Sequence, residues 1–511
     1  MKKYFKILLL IACVSPLGSC KKILEEIPES FVTPKQFYQN EAQCIAALNG
    51  CYSPLTSIYN QNLIIAIEAA TDLGYFPSSL NKDAIFDISP SSPGMGQNLW
   101  IQCYKGIMFC NSAVAGIKAA PVDEDRKPAL IAEAVTLRAL YYYILTSTFG
   151  DVPFYMDDVA DLQTLEQINA LGRMDASNTR KTLIEELNQY ASALPQKRTS
   201  DVAQNRISAP VAYMLIGKLA MWEKDWGTAL TALNKIKLIY AALSQYKLVD
   251  TYFRNKNTPE SIFEVQYTWS ATGLKKTTSV AAYFTPSKTS GTSIYGGVNI
   301  PELGTVANPF GSVTPTQYFM SLYHVFDPRR NIILAYSYNG TVFPRTMQNN
   351  GTGKPYTGPK FWCPGMDNIA DGNNQKVFRY ADALLMIAEC ANQLDDSDTA
   401  MDAINEVKRR AENEAATNNN NITLILSSYP GKEAFQKEVK EERARELMGE
   451  YGRKWDLVRW GTFYDDVKST AGAESIQILQ NIRPYHQYYP IADSEILRSD
   501  GKLNNDAYKG Q

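Results

Sequence analysis

The residues best placed to do chemistry are three glutamates. Glu442, Glu446 and Glu450 recur at every fourth position of ERARELMGEYGRKWDLVRWG, residues 442–461, and a helix there lines them along one face. Carboxylates so placed suggest general acid–base work. That work needs companions, and the stretch carries no histidine, nucleophile or metal-ligand spacing. A glycosidase needs two carboxylates facing each other across a cleft, about 5–10 Å apart, which one helix face does not supply. The structural alternative fits better. Trp455, Leu457, Val458 and Trp460 demand burial, and Arg443 and Arg453 lie close enough to answer the glutamates. A partly buried helix whose charges pair with one another and with neighbouring elements meets both demands.

No other catalytic pattern stands out. P-loop, GxSxG and HExxH spacings are missing, so the chain reads as a non-enzyme. The 2 histidines, His324 and His486, are far apart and no CxxC occurs, so neither a metal site nor a cofactor is expected. A net charge of −2 gives no electrostatic case for nucleic acid. The excess is in tyrosine, 31 in all. Its flat face and hydroxyl suit sugar or peptide surfaces, although most tyrosines serve to fill gaps between helices. Candidate ligand contacts are therefore aromatics that lie on loops. Asp72, Gly74 and Pro77 break the helical pattern around Tyr75 and Phe76. Tyr283, Phe284 and Tyr295 fall in a Gly-, Pro-, Thr- and Asn-rich stretch over 251–376, together with Trp269 and Trp362. That stretch reads as loops forming one wall of a binding face; for the two tryptophans, packing is an equal alternative.

These loops need a scaffold. At the N-terminus, Lys2, Lys3 and Lys6 precede an apolar run from Ile7 to Val14, and Leu17-Gly18-Ser19-Cys20 follows. Residues 1–19 read as a lipoprotein signal peptide, too short to span as a stable helix, with Cys20 as the lipidated first residue. Residues 20–30 form a lipidated tether, the ten from Lys21 reaching at most about 35 Å, and several acyl chains anchor a protein stably. The body over 31–511 divides into a helical part (31–250), the loop-rich insertion (251–376) and a second helical part (377–511). Helices are expected from about Lys35, over 63–70, around Trp100–Asn111, over 132–149 and over 182–194. Cys44 and Cys51, and Cys103 and Cys110, are seven apart on such helices, about 10.5 Å and beyond bonding within a pair. They read as small buried apolar residues. Over 209–237 and 379–410 two helix pairs repeat: Gly217 and Ala229, and Ala388 and Ala400, are twelve apart, as in tetratricopeptide units whose small residues let two helices approach closely.

The stretch over 442–461 also resembles the C-terminal signature of the SusD/RagB family, nutrient-uptake outer-membrane lipoproteins, in Glu442-Arg443, Glu446-Leu447, Glu450, Arg453, Asp456 and Arg459-Trp460-Gly461. The family has an aromatic before that glutamate and a glycine after it; here Gly449 and Tyr451 stand there, which puts the local turn in question. Further resemblances follow in order: Trp100–Asn111, AEAVTLRALYYYILTSTFGDVP (132–153), SIFEVQ (261–266), Phe326–Arg329 and the closing Tyr489–Asn504 segment, where Ala492 replaces a proline. The resemblance implies a mainly α, tetratricopeptide-like helical-repeat scaffold with a loop-rich irregular region and few short strands. It implies a nutrient-binding lipoprotein, facing the outside of the outer membrane, that captures an oligosaccharide or peptide and delivers it to a SusC-like TonB-dependent barrel. Within that family Arg138 is expected to pair structurally. A tetratricopeptide-type assembly lipoprotein without a nutrient ligand is the alternative.

Overall fold

The computed structural model describes residues 37–77, 81–270, 272–289, 291–344, 353–419, 421–503 and 506–508. The signal peptide, Cys20, the tether and the expected helix start at Lys35 lie outside the described residues. The first helix described in full, α1, spans Glu41–Tyr52. Its start is set by Asn40, whose side-chain oxygen accepts the Gln43 N–H at 3.0 Å.

Helices then follow in sequence and pack on one another in sequence order. They are α2 (Gly96–Ala119), α3 (Lys127–Phe149), α4 (Ala176–Tyr190), α5 (Ala209–Trp222) and α6 (Trp226–Lys237). The loop-rich region intervenes, and α7 (Tyr380–Gln393), α8 (Ser397–Thr417), α9 (Lys432–Leu447) and α10 (Arg453–Trp460) complete the scaffold. Neighbours pack along the chain from α1 to α6, α7 continues the stack on α6, and α8 and α9 both pack on α7. Helix α3 is apolar and long enough to cross a membrane, but it lies buried at the centre of the stack.

The repeat read from the sequence is real. Gly217 on α5 faces Leu233 on α6 so closely that a Cβ would sit 2.8 Å from the leucine Cδ2. Ala388 and Ala400 play the same part between α7 and α8, both wholly buried with Ile404 and Val407 behind them. Cys44, Cys51, Cys103 and Cys110 are buried free thiols between α1, α2 and α3. Arg138 on α3 pairs with Glu186 and donates to Asn111 Oδ1 at 2.6 Å, the structural role expected of it.

The long stretch between α6 and α7 is tied at its ends. Ser261–Val265 pairs antiparallel with Gln375–Arg379, with Gln375 opposite Val265 and Arg379 opposite Ser261. Inside it lie short helices at Val280–Phe284, Gln317–Ser321 and Pro328–Ile333 and several two-residue strands. Without a long helix or wide sheet to lean on, the layer needs a core of its own. Tyr295, Phe343, Tyr356, Trp362 and Met366 supply it.

Candidate functional site

The carboxylate cluster is built from a helix and the turn that follows it. Glu442 and Glu446 lie on α9, but the helix stops at Leu447. Met448 leaves helical geometry and Gly449 turns at φ +83°, so Glu450 reaches the cluster from a turn and not from the same helix face. Partners also differ from the sequence expectation. Arg443 pairs with Asp382 and Asp456, and Arg453 with Asp72. The glutamates are answered from elsewhere: Glu442 by Arg329, Lys408 and Arg445, Glu446 by Arg329, Arg379 and Arg410, and Glu450 by Arg379 and Lys360. Burial alone pushes these carboxyls up, but the cations outweigh it. Glu442 is held well below the usual carboxylate range and Glu446 at about 2. Carboxylates so firmly ionised and fully engaged are neither proton donors nor metal ligands. Among the described residues no group of three His, Cys, Asp or Glu is arranged to hold a metal ion.

The turn that follows holds the unusual Gly449 and Tyr451. Tyr451 sits at φ +60°, and a Cβ at residue 449 would lie 2.3 Å from the Phe361 ring. The backbone N–H groups of Gly449, Gly452 and Arg453 converge on the carboxylate of Glu68, at 2.9 Å for Gly449 and 2.8 Å for Arg453. Glu68 comes from a π-helical turn, Ile65–Ala69. Burial raises its carboxyl to about 7 despite those three bonds.

The loop aromatics fare differently from expectation. Tyr75 sits in a strand, Gly74–Tyr75, paired with Thr314–Pro315. Tyr75 and Phe76 are 5% and 4% exposed, and Phe284 and Tyr295 are wholly buried. Phe284 packs on Phe361 with centroids 4.4 Å apart, and Tyr295 donates its hydroxyl to the carbonyls of Leu303 and Gly304. An irregular layer draws its core from its own aromatics, so loop position did not mean exposure. Trp362 is likewise a packing residue, its Nε1–H bonded to the Thr357 carbonyl at 3.0 Å, while Trp269 is half-buried.

Two of the five do meet near the surface. Phe76 lies 5.9 Å from the half-buried Tyr283, and Tyr283 lies 5.2 Å from Phe310, edge to face. Phe310 is 39% exposed. Its backbone is fixed by a bond from its N–H to the Ala282 carbonyl at 2.7 Å, so the row is rigidly set. Phe310 was missed in the sequence, although its setting, Asn308-Pro309-Phe310-Gly311, meets the criterion that picked Tyr75 and Phe76. Tyr75 faces the other way. It lines an open depression of about 460 Å3 with Pro77, Glu474, Ser475 and Gln477. The row Phe76–Tyr283–Phe310 can stack on apolar ligand faces, and the polar groups around Tyr75 can separately bond hydroxyls.

Comparison with known proteins places the whole chain. Residues 360–508 match the SusD family, and residues 25–221 match a family described as starch-binding associating with outer membrane. The chain belongs to the SusD/RagB family. Among curated relatives, SusD-like protein P25 of Formosa agariphila is 28% identical over 96% of either chain, and SusD-like protein P2 of the same organism is 24% identical over 99% of this chain and 100% of its own. A SusD homolog from Bacteroides thetaiotaomicron superposes with a TM-score of 0.74 at 19% identity, covering 92% of this chain and 97% of that one. A structure titled laminarin binding SusD-like protein gives 0.70 at 21%, covering 90% and 98%. Surface glycan-binding protein A from Bacteroides thetaiotaomicron, in complex with laminarihexaose, gives 0.67 at 20%, covering 91% and 99%. The helical-repeat SusD fold therefore extends over nearly the whole chain.

Proposed function

We propose that this SusD/RagB protein is a cell-surface glycan-binding lipoprotein that captures an oligosaccharide and passes it to a SusC-like TonB-dependent barrel. Lipid at Cys20 would hold the body at the outer membrane, facing outward. The observation that carries the binding role is the row Phe76–Tyr283–Phe310, three aromatic rings in mutual contact whose outermost member is open to solvent. The named ligands of solved relatives, laminarin and laminarihexaose, support a glycan over a peptide. Binding of this kind is shallow, which suits release into a transporter.

The test is titration calorimetry of the full chain in detergent with laminarin, starch and a panel of plant and host glycans. One glycan class is expected to bind. The double variant Tyr283→Ala/Phe310→Ala is expected to lose roughly tenfold in affinity, as removal of two stacking rings implies. Heat from no glycan, or binding indifferent to that variant, would reject the site. Purification from native membranes is expected to bring a large TonB-dependent barrel with the protein.

A further inference from the structure

A second concave site lies apart from the aromatic row. It is a cleft of about 330 Å3 between the end of α1, the turn at 204–206 and the strand Ser261–Val265. That volume is at the small end of ligand pockets, about 300–1,000 Å3. Buried Leu55, Phe263 and Val265 contribute apolar surface. The rim carries side chains that both donate and accept, Asn49, Ser53, Thr56, Gln204 and Asn205, while the Gln266 amide there is engaged by Asn257 and Asn374.

The charges in its wall are spoken for. Arg206 lies 2.8 Å from Glu133, donates to Asn49 Oδ1 at 2.6 Å and rests over the Tyr52 ring. Glu264 accepts from Lys376 at 2.9 Å and from Asn257 N–H and Asn374 Nδ2. Among the described residues that line the cleft, only Lys276, exposed at the edge, adds an uncompensated charge. The turn itself is held in a costly shape. Gln204 and Asn205 both adopt left-handed backbone angles, φ +58° and +51°, a geometry that non-glycine residues seldom take in succession. The Asn205 N–H fixes it on the Val202 carbonyl at 3.0 Å. The result sets two consecutive amides on the rim.

We propose that this cleft is a separate subsite for an uncharged mono- or disaccharide, the end unit of a captured glycan. Its apolar floor takes a sugar's C–H face, and the amide and hydroxyl rim brackets neighbouring hydroxyls. The inference rests on the glycan-binding reading above, and its test is chosen to fail separately from it.

Saturation-transfer NMR on the full chain in detergent would use laminaribiose, cellobiose, maltose and galacturonic acid as probes. A neutral disaccharide is expected to receive saturation. Its affinity should fall roughly fivefold to tenfold in Asn49→Ala/Gln204→Ala, on the scale of lost hydrogen bonds, and vanish in Ser53→Trp, which fills the cleft. Tyr283→Ala/Phe310→Ala should leave it unchanged while weakening the long glycan. The proposal is overturned if no disaccharide binds, if the cleft variants bind as wild type does, or if binding is confined to the uronic acid and lost in Lys276→Gln. Matching melting curves for the variants would tie any loss to the site and not to unfolding.

Discussion

Glu68 and Arg453 are 385 positions apart in the chain, yet the Glu68 carboxylate accepts the Arg453 backbone N–H at 2.8 Å. Together with the Gly449 and Gly452 bonds, this places an acidic cap at the N-terminus of α10. The same contact joins the first helical part of the scaffold to the last. Arg453 strengthens it by pairing its guanidinium with Asp72, at 2.9 and 2.6 Å.

Substituting Glu68→Ala should cost about 1–3 kcal/mol, because two buried N–H groups and a part-buried one lose their acceptor. Glu68→Gln separates the pH effect. The Glu68 carboxyl is raised to about 7, so its contribution is full below the ordinary carboxylate range and is lost as pH rises through about 7. Wild-type melting temperature should therefore fall relative to Glu68→Gln between pH 5 and 8, as calorimetric scans at matched salt would show. A constant gap would mean that the carboxyl does not titrate there.

The buried ion network predicts the opposite slope. Glu446 is engaged by Arg329, Arg379 and Arg410, and it is held at about 2. Glu446→Gln should destabilise by about 3–5 kcal/mol near neutral pH, since it strands buried guanidinium charge. The lowered carboxyl contributes above the ordinary carboxylate range, and that stability is lost as pH falls toward about 2. The gap between wild type and variant, read from urea midpoints, should thus close on acidification.

Lys454 is 2% exposed, and its Nζ has no hydrogen-bond partner among the described residues. The ammonium lies 4.6 Å from the Tyr489 ring centroid, 4.9 Å from Phe463 and 5.7 Å from Phe86. Burial lowers it to about 7 against the pull of Asp83. A lowered lysine contributes most above its ordinary range, and that stability drains away as pH falls to about 7. Lys454→Met should stabilise the protein at pH 7 by an amount on the order of 2–4 kcal/mol, read as a higher melting temperature. The gain should shrink as pH approaches 10. A variant less stable at pH 7 would show that the rings hold the charged form.

The turn between α9 and α10 depends on its glycine. Gly449→Ala adds a Cβ within 2.3 Å of Phe361 Cε1 at a backbone φ of +83°, and should cost about 1–3 kcal/mol. Trimming the ring in Gly449→Ala/Phe361→Leu should recover less than the clash costs, because the backbone strain stays and Phe361 also supports Phe284. Denaturant unfolding of the two variants separates those contributions.

Much of the scaffold was legible in the sequence because its causes are local. Helical periodicity, the small residues at 217, 229, 388 and 400, and the strand-forming residues of SIFEV act within a few residues of themselves, and each of these elements formed where its pattern placed it. The charged and apolar mixture of 442–461 likewise required a buried, paired segment. Its partners could not be read the same way. Arg329, Arg379, Arg410 and Glu68 come from distant stretches, and nothing local chooses them over the nearer Arg443 and Arg453. Exposure of the loop aromatics was decided by tertiary packing too. Whether a ring fills a core or faces water depends on what the rest of the chain brings to it, so Tyr295 and Phe284 went inside while Phe310, on a turn of the same character, stayed at the surface.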